Sequence, residues 1–271
     1  DGFPSIRADR ERFGGKMRVR VLGCGGGIGG RLMRTTSLLV DHDILIDAGT
    51  GLSDLPLDEL AAIDHVFITH SHLDHIAALP LMVDSVADLR EHPLTIHATA
   101  ATLETIRSHV FNWAIWPDFS EIAIRDRQVM RYNPIAVGQK VSLGTRSVTA
   151  VPAEHTVPAV GYHLDSGVGS LVFTGDTTVN DQLWPILNRI ANLRYLIIEA
   201  AFANSDEALA HISKHLCPRL LGEELVKLKV PAEIYVTHLK PGQVESITDE
   251  LARLVGKHVL RILQNEQVLE F

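Results

Sequence analysis

Three histidines and one aspartate lie within six consecutive residues, as His70, His72, Asp74 and His75. In a chain of 271 residues with 14 histidines, this H-x-H-x-D-H spacing should arise by chance only about 0.002 times. Neutral imidazoles and carboxylates bind Zn²⁺, and also Mn²⁺ or Fe²⁺ where oxygen donors are added. The motif therefore predicts a metal site, and its spacing can serve two divalent ions.

Six residues cannot complete two coordination shells, so we expect further ligands elsewhere in the chain. We expect residues 70, 72 and 74 to project from one side of a strand end, with His75 at the start of the next helix. Other candidates each follow a predicted strand: His155 after Val148–Val151, Asp176 after Leu171–Thr174, and His238 after Ile234–Thr237. On spacing alone, the two histidines are equally compatible with structural roles, and the aspartate with a helix N-cap.

Hydrophobic periodicity and turn residues predict the elements that position these side chains. Strands are predicted at Arg18–Leu22, Thr36–Val40, Ile44–Asp47, Val66–Thr69, Leu94–His97, Val141–Leu143, Val148–Val151, Leu171–Thr174, Leu196–Glu199, Ile234–Thr237 and Val259–Leu263. Helices are predicted at Ile76–Arg90, Thr102–Val110, Asn180–Ile190, Pro218–Leu228 and Val244–Val255. Because hairpins come first in each half, two mixed sheets between helices fit better than a doubly wound parallel sheet. We expect one domain over residues 17–271 after an N-terminal extension, residues 1–16.

The glycine run Gly25–Gly30 contains a literal G-x-G-x-x-G, with Asp47 further along. A dinucleotide site would need a helix directly after the glycines, whereas residues 32–40 have the pattern of a strand and hairpin. The run is therefore interpreted as a tight bend where the backbone passes close to another segment.

Composition limits the classes of partner. The formal net charge is −8 and 46% of the residues are hydrophobic, as in a globular protein with a sizeable core. No dense Lys/Arg patch for a long polyanion is present in the sequence. The two cysteines are too few for a thiolate zinc cluster. No apolar stretch is long enough to cross a bilayer, and we expect a cytoplasmic protein, with the periplasm open because a leader could have been removed.

Several motifs together resemble those of the metallo-β-lactamase-fold hydrolases: Leu45-Ile46-Asp47-Ala48-Gly49, Thr69 to His75, Glu154-His155, Thr174-Gly175-Asp176 and Thr237-His238-Leu239-Lys240-Pro241. The resemblance implies an αββα sandwich of two mixed sheets flanked by helices, with a dinuclear site at one edge. It implies the following roles: His70, His72 and His155 bind the first ion, Asp74, His75 and His238 bind the second, and Asp176 bridges both. Asp47 is expected to orient the His-rich loop from behind the ligands.

The segments Ile197–Phe202 and Lys214–Leu221 are similar to the class II cyclic-nucleotide phosphodiesterases. Two positions depart from that class, Ala78 and the pair Val83-Asp84. The resemblance implies hydrolysis of a small phosphodiester, a 3′,5′-cyclic nucleotide, to the 5′-nucleotide by metal-bound hydroxide. The residues expected at the reaction are Asp74, with Glu199 and His215 as an acid pair, and Lys240, Phe202 and Thr177 at the substrate.

Other interpretations stay open. A tRNA 3′-processing endonuclease of the same fold would share Glu199 and His215, although the charge of −8 fits RNA binding poorly. The fold also allows a lactone, ester or β-lactam hydrolase, or a metal sensor without catalysis. Glu199 and His215 could equally form a structural ion pair. We expect a small phosphodiester as partner, no large nucleic acid and no membrane, while a homodimer stays open.

Overall fold

The computed structural model describes residues 15–30, 33–254 and 258–271. Its strands are β1 (Arg18–Gly23), β2 (Ser37–Val40), β3 (Ile44–Ile46), β4 (His65–Phe67), β5 (Leu94–Ala98), β6 (Ala123–Ile124), β7 (Arg127–Gln128), β8 (Met130–Pro134), β9 (Lys140–Leu143), β10 (Arg146–Pro152), β11 (Val160–Asp165), β12 (Ser170–Phe173), β13 (Leu193–Glu199), β14 (Glu233–Thr237), β15 (Leu260–Ile262) and β16 (Val268–Glu270). Its helices are α1 (Leu57–Ala62), α2 (Leu73–Ile76), α3 (Leu79–Val86), α4 (Ala100–His109), α5 (Leu183–Leu187), α6 (Glu207–Ser213), α7 (Pro218–Leu225) and α8 (Val244–Ala252). Short 3₁₀ turns lie at Thr50–Asp54 and Asn204–Asp206.

Two seven-stranded mixed sheets form the centre of the fold, and β6 and β7 form a separate small ribbon. The first sheet has the order β16-β1-β2-β3-β4-β5-β8, antiparallel up to β3 and parallel from β3 to β8. The second sheet has the order β15-β14-β13-β12-β11-β10-β9, parallel from β15 to β12 and antiparallel beyond. Each half therefore joins a meander to a set of parallel strands, as expected from the hairpins that open each half of the sequence.

The core is divided into three apolar clusters, one between the sheets and one on the outer face of each sheet. Phe67 of the first sheet meets Tyr162 of the second edge to face, with ring centroids 5.5 Å apart. Outside the first sheet, Leu79, Met82 and Val83 of α3 pack on buried strand residues. The second sheet is covered in the same way by α5, α7 and α8. These layers are helix, sheet, sheet and helix, so the predicted αββα sandwich is confirmed.

Several predicted elements have different bounds. The helix predicted at Ile76–Arg90 is two helices, α2 and α3, because Pro80 lies in the first turn of α3 and favours a helix start there. The helix predicted at Asn180–Ile190 is shortened to α5, since the Asn180 side chain is held in a loop by Pro152 O at 2.9 Å. Strands β6, β7, β8, β11 and β16 and helices α1 and α6 were not predicted. The predicted helix end at Val255, and residues 1–14 of the predicted extension, lie outside the described residues.

The site-bearing loops lie at the carboxyl ends of strands. Asp47 follows β3, the His-rich motif follows β4, Asp176 follows β12 and His238 follows β14. Because β3 and β4 run parallel, as do β12, β13 and β14, these loops leave their sheets at a shared edge. Within the described residues, no helix combines the length and apolar character needed to cross a membrane.

Candidate metal centre

The first group of potential ligands contains three imidazoles, His70, His72 and His155, whose donor atoms lie within 4.8 Å of one another. Nδ1 of His72 is 3.1 Å from Nε2 of His70 and 3.1 Å from Nε2 of His155. Three histidine nitrogens facing one point form a donor set suited to Zn²⁺. The His-rich loop after β4 thus meets the loop after β10 at this group.

The second group contains Asp74, His75, Asp176 and His238, again with donor atoms within 4.8 Å. Helix α2 begins at Leu73, so Asp74 and His75 both lie in its first turn. The expectation that Asp74 projects from an extended strand end and that His75 starts the helix is therefore wrong, because the backbone turns one residue after His72. The helical turn nevertheless directs both side chains toward His238.

Asp176 lies between the two groups. Its Oδ1 is 3.2 Å from Nδ1 of His238, and its Oδ2 is 3.3 Å from Nε2 of His75 and 3.7 Å from Nε2 of His70. The surrounding imidazoles hold the pKa of this carboxyl well below its usual range, against the effect of its burial. An ionised carboxylate in this position can contact a cation in either group. It caps no helix, since α5 begins only at Leu183.

A histidine binds a metal ion through a neutral ring, so the protonation state of these histidines tests whether the residues fit a divalent metal. Burial lowers the pKa of His155 to about 4 and that of His238 to about 3, so both rings are neutral at pH 7 and can donate a lone pair. Nδ1 of His238 and Nε2 of His75 are buried and have no hydrogen-bond partner among the described residues. Buried polar atoms are rarely left in this state. Both face Asp176, so the geometry fits a cation held between these nitrogens and the carboxylate.

Unlike the other histidines of the two groups, His75 has a raised pKa. Burial would lower its pKa, but Asp176 and Asp47 raise it well above the usual value. The two carboxylates therefore favour positive charge at this ring, which a metal ion at Nε2 would supply. Its Nδ1 is 2.7 Å from Oδ2 of Asp47, the arrangement in which a carboxylate fixes the orientation of a ligating histidine.

Asp47 is fully buried behind the His-rich loop. Its carboxylate accepts hydrogen bonds from N and Oγ1 of Thr69, at 2.7 and 2.8 Å, in addition to its contact with His75. Its backbone is left-handed, with φ of 57°. Thr69, which was not singled out from the sequence, therefore connects Asp47 to the first residue of the motif. Its position directly before His70 is the signal that could have identified it.

The glycine run passes close to His238, as the predicted bend requires. A Cβ on Gly26 would overlap the carbonyl oxygen of His238, and one on Gly27 would come within 2.9 Å of the Pro241 ring. N of Gly26 donates to O of Leu239 at 3.0 Å, and His238 itself has a left-handed φ of 65°. Close approach to the loop after β14 thus accounts for these two glycines without a nucleotide.

His215 and Glu199 form a buried pair beside both groups. Nδ1 of His215 is 2.7 Å from Oε1 of Glu199. The His215 ring lies 5.0 Å from the ring of His155 and 5.1 Å from that of His238, centroid to centroid. Burial alone would lower the pKa of His215, but Glu199 raises it above the usual value. His215 also lies close enough to His155 and Asp176 to offer a ligand atom to the same point.

Glu199 has no access to solvent, and its carboxylate is held by backbone amides. Its oxygens accept hydrogen bonds from N of Thr177 at 3.0 Å, and from N of Ala201 and N of Leu216 at 3.1 Å each. These contacts fix the carboxylate, which in turn fixes the tautomer and orientation of the His215 ring.

Two residues predicted to contact substrate have side chains that are buried in contacts with other residues. Thr177 is buried; its hydroxyl accepts from N of Glu154 at 3.0 Å and donates to O of Thr178 at 3.1 Å. It therefore supports Glu199 instead of facing a substrate. Phe202 is 8% exposed and packs against His215, with ring centroids 5.7 Å apart. Its ring therefore lies beside the His215–Glu199 pair, and its contact with substrate stays a prediction.

Lys214 contributes through its backbone and was not identified from the sequence. Its carbonyl oxygen accepts from Nδ1 of His155 at 3.0 Å, and its φ of 52° is left-handed. Its side chain forms an ion pair with Glu154. A backbone carbonyl leaves no signal in residue type, so only the folded chain reveals that the residue before His215 also orients His155.

Comparison with known proteins places this geometry in a family. A family model described as a beta-lactamase superfamily domain matches residues 42–245, more than half of the chain. The chain is 28% identical over 205 residues to a probable 3′,5′-cyclic-nucleotide phosphodiesterase of Yersinia pestis, covering 67% of this chain and 58% of that protein. It is 27% identical over 154 residues to ribonuclease Z of Methanopyrus kandleri, covering 55% and 50%. The chain thus spans little more than half the length of these relatives.

Among solved structures, unliganded yeast PDE1 superposes with a TM-score of 0.79 at 18% identity, over 93% of this chain and 98% of that one. At this identity the likeness concerns the fold. Together with the family match, it agrees with the two mixed sheets, the flanking helices and the histidine and aspartate groups at their shared edge. The chain therefore belongs to the beta-lactamase superfamily and has the metallo-β-lactamase hydrolase fold.

Proposed function

We propose that this protein is a dinuclear metal-dependent phosphodiesterase that hydrolyses a small phosphodiester, a 3′,5′-cyclic nucleotide, to the 5′-nucleotide. The observation that carries the proposal is the His215–Glu199 pair, buried beside two converging ligand groups. A relative from Yersinia pestis and others from Aliivibrio fischeri and Schizosaccharomyces pombe carry the name of this activity, which supports the same class of substrate.

The residues that would hold the metal are the two groups described above. In the proposal, His70, His72 and His155 hold one divalent ion, Asp74, His75 and His238 hold a second, and Asp176 contacts both. Zn²⁺ suits this mixture of imidazoles and carboxylates. When bound, two such ions supply charge neutralisation and an activated water for attack on phosphorus.

The remaining requirement is a proton for the leaving oxygen, and this chain offers His215. An alkoxide such as a ribose oxygen leaves poorly unless it is protonated as the bond breaks. Glu199 accepts a hydrogen bond from Nδ1 of His215 and raises the pKa of this ring, which favours a proton on Nε2 that the ring can donate. The adjacent rings of His155 and His238 place this nitrogen beside both ligand groups.

A second candidate is a ribonuclease of the same superfamily, because relatives named ribonuclease Z match over about half of the chain. A protein that neutralises several RNA phosphates loses affinity steeply as salt rises, with a slope of about −0.7 per contact on single strands. Activity on a cyclic nucleotide should depend little on salt. The net charge of −8 favours the small substrate.

The test compares His215→Ala with a control histidine in the Zn²⁺-reconstituted protein. We expect His215→Ala to lower kcat on cyclic AMP or cyclic GMP by about 10²- to 10⁴-fold with KM little changed. The loss should be much smaller on bis(p-nitrophenyl) phosphate, because p-nitrophenolate leaves without a proton. His211→Ala, at an exposed position on α6, should change neither substrate. Equal losses on both diesters would contradict the role of His215.

The wild-type protein tests the substrate class in the same assay. Turnover of a cyclic nucleotide that is insensitive to salt supports the proposal. Absence of diester hydrolysis, or cleavage of a tRNA precursor with a steep salt dependence, would contradict it.

A further inference from the structure

Lys240 lies at the exposed edge of the second ligand group, where its ammonium group forms no hydrogen bond with a carboxylate among the described residues. Its ammonium nitrogen is 3.4 Å from Nε2 of His238 and 4.0 Å from Oδ2 of Asp74. No other lysine or arginine among the described residues has a recorded ion pair with one of the proposed ligands. The side chain is 27% exposed, so its charged end borders both the ligands and solvent.

A backbone carbonyl fixes the ammonium group in this position. Nζ of Lys240 donates to O of Gly26 at 2.7 Å, and N of Lys240 donates to O of Ala201 at 3.0 Å. The glycine run can approach because Gly26 has no side chain where His238 lies. The ammonium group therefore contacts two neutral groups, O of Gly26 and Nε2 of His238, and among the described residues no carboxylate oxygen lies within 3.5 Å of it.

Two other lysines of the chain have a different environment. Lys214 contacts Glu154, and Lys227 lies between Asp181 and Glu224, so their charges are compensated by carboxylates in contact. Lys240 is instead held by a backbone carbonyl, and its carboxylate neighbour Asp74, a proposed metal ligand, lies 4.0 Å away and outside hydrogen-bond contact. An ammonium group in this state is suited to an anionic ligand, because binding costs little side-chain entropy and displaces no carboxylate from hydrogen-bond contact.

We propose that Lys240 is a specificity residue that receives a charged non-bridging oxygen of the substrate and thereby selects phosphodiesters over neutral esters, lactones and lactams. The inference rests on the proposed function and adds a physical reason for its substrate class. A phosphodiester carries one negative charge before reaction, whereas a lactone or a lactam carries none at the reacting group. A fixed cation therefore stabilises the first class of bound substrate and not the second.

A purely structural role would have different consequences. If Lys240 only joined the glycine run to the loop after β14, its loss would lower the melting temperature and the metal content. Loss of a charge receptor should leave both unchanged and weaken binding of anions. Lys240→Met removes the charge while keeping a long apolar stem, and Lys240→Arg keeps the charge. Lys229→Met is a matched control, because this exposed lysine precedes β14, at the opposite end of the strand from His238.

The experiment uses the Zn²⁺-reconstituted protein and its three variants. Inorganic phosphate binding is measured by calorimetry, and kinetics are measured on bis(p-nitrophenyl) phosphate and on neutral p-nitrophenyl acetate. A charge-assisted hydrogen bond contributes about 1.5–3 kcal/mol, so Lys240→Met should weaken phosphate binding and lower kcat/KM for the diester by about 10- to 100-fold. Activity on the acetate should change less than about twofold. Lys240→Arg should recover part of the loss, and Lys229→Met should match wild type.

The outcomes separate the two hypotheses. Diester turnover by the wild type, with unchanged phosphate affinity in Lys240→Met, overturns the inference about Lys240 and leaves the proposed function standing. An equal loss on the diester and the acetate, or a loss of zinc and of thermal stability, also overturns it. Failure of the wild type to hydrolyse any diester overturns the proposed function, and with it the substrate assigned to Lys240.

Discussion

Two clusters of buried and partly buried histidines in this molecule differ in how their ring nitrogens are satisfied. On neighbouring strands β4, β5 and β8, Nε2 of His97 is 3.1 Å from Nδ1 of His65, and its Nδ1 is 2.8 Å from the amide of Asn133. The ring also stacks on Phe67 at 4.2 Å. Among the described residues, neither histidine has a recorded ion pair with a carboxylate. At the candidate metal centre, by contrast, buried nitrogens of His75 and His238 lack hydrogen bonds and face Asp176.

The comparison shows that burial of histidine alone does not identify a ligand. In both clusters burial lowers the pKa, to about 3 for His97 and to about 3 for His238. What separates them is the partner of each nitrogen: an amide and another imidazole in one cluster, and a shared carboxylate in the other. Unsatisfied nitrogens around a carboxylate are the feature that fits a cation.

The largest effect should follow removal of that carboxylate. Asp176→Ala should reduce zinc binding at both groups, because Asp176 approaches His238, His75 and His70. We expect a loss of metal affinity beyond the about 10- to 100-fold typical of an outer-shell partner. Elemental analysis after reconstitution and dialysis measures it. His97→Asn should retain the wild-type zinc content, and loss of zinc from that variant would remove the distinction between the clusters.

A smaller and more selective effect on metal binding is expected from substitution of Asp47, which lies behind the ligands. Asp47→Asn should weaken metal binding at the second group by about 10- to 100-fold, because Asp47 orients His75 from behind. The first group should be less affected, since its histidines do not contact this carboxylate directly. Competition with a chelator, followed as zinc released per chain, should therefore show weaker zinc binding in one of the two release steps. Two equally weakened steps would instead indicate that Asp47 organises the whole loop through Thr69.

The sequence predicted the two groups of candidate ligands better than their surroundings for a physical reason. His70, His72, Asp74 and His75 are close in the chain, so residue type and spacing alone reveal them. The candidate ligands distant in sequence were predicted at strand ends, because parallel strands bring their carboxyl ends to one edge of the sheet. The helix start at Leu73 was missed, since a single turn of four residues carries little periodic signal.

Contacts made by the backbone could not be predicted. The Lys214 carbonyl that holds His155, and the close approach of Gly26 to His238, depend on the path of loops distant in sequence. The same limit applies to β11, whose edges are defined by pairing with β10 and β12. His65 and His97 belong to no ligand motif of the sequence, and their hydrogen bonds agree with a structural role.

The smallest effect concerns stability, and it tests the structural cluster through pH. Burial, with a smaller contribution from His65 and Arg131, lowers the pKa of His97 to about 3, whereas the unfolded chain has an ordinary histidine pKa of about 6.5. Below pH 6.5 the unfolded state therefore binds a proton that the native state does not. The free energy of unfolding should fall as the pH decreases from 6.5 toward 3, by at most about 1.4 kcal/mol per pH unit from this group.

Urea unfolding of the chelator-treated protein at pH 7, 6 and 5 measures this dependence. His97→Asn should be less stable at pH 7 because the stacked ring is lost, but its stability should decline less between pH 6.5 and 5 than that of the wild type. Histidines at the metal centre titrate in both proteins, so the difference in slope isolates His97. Parallel slopes would mean that His97 takes up its proton in the folded protein at an ordinary pH, and the contrast between a satisfied and an unsatisfied histidine cluster would then lose its electrostatic basis.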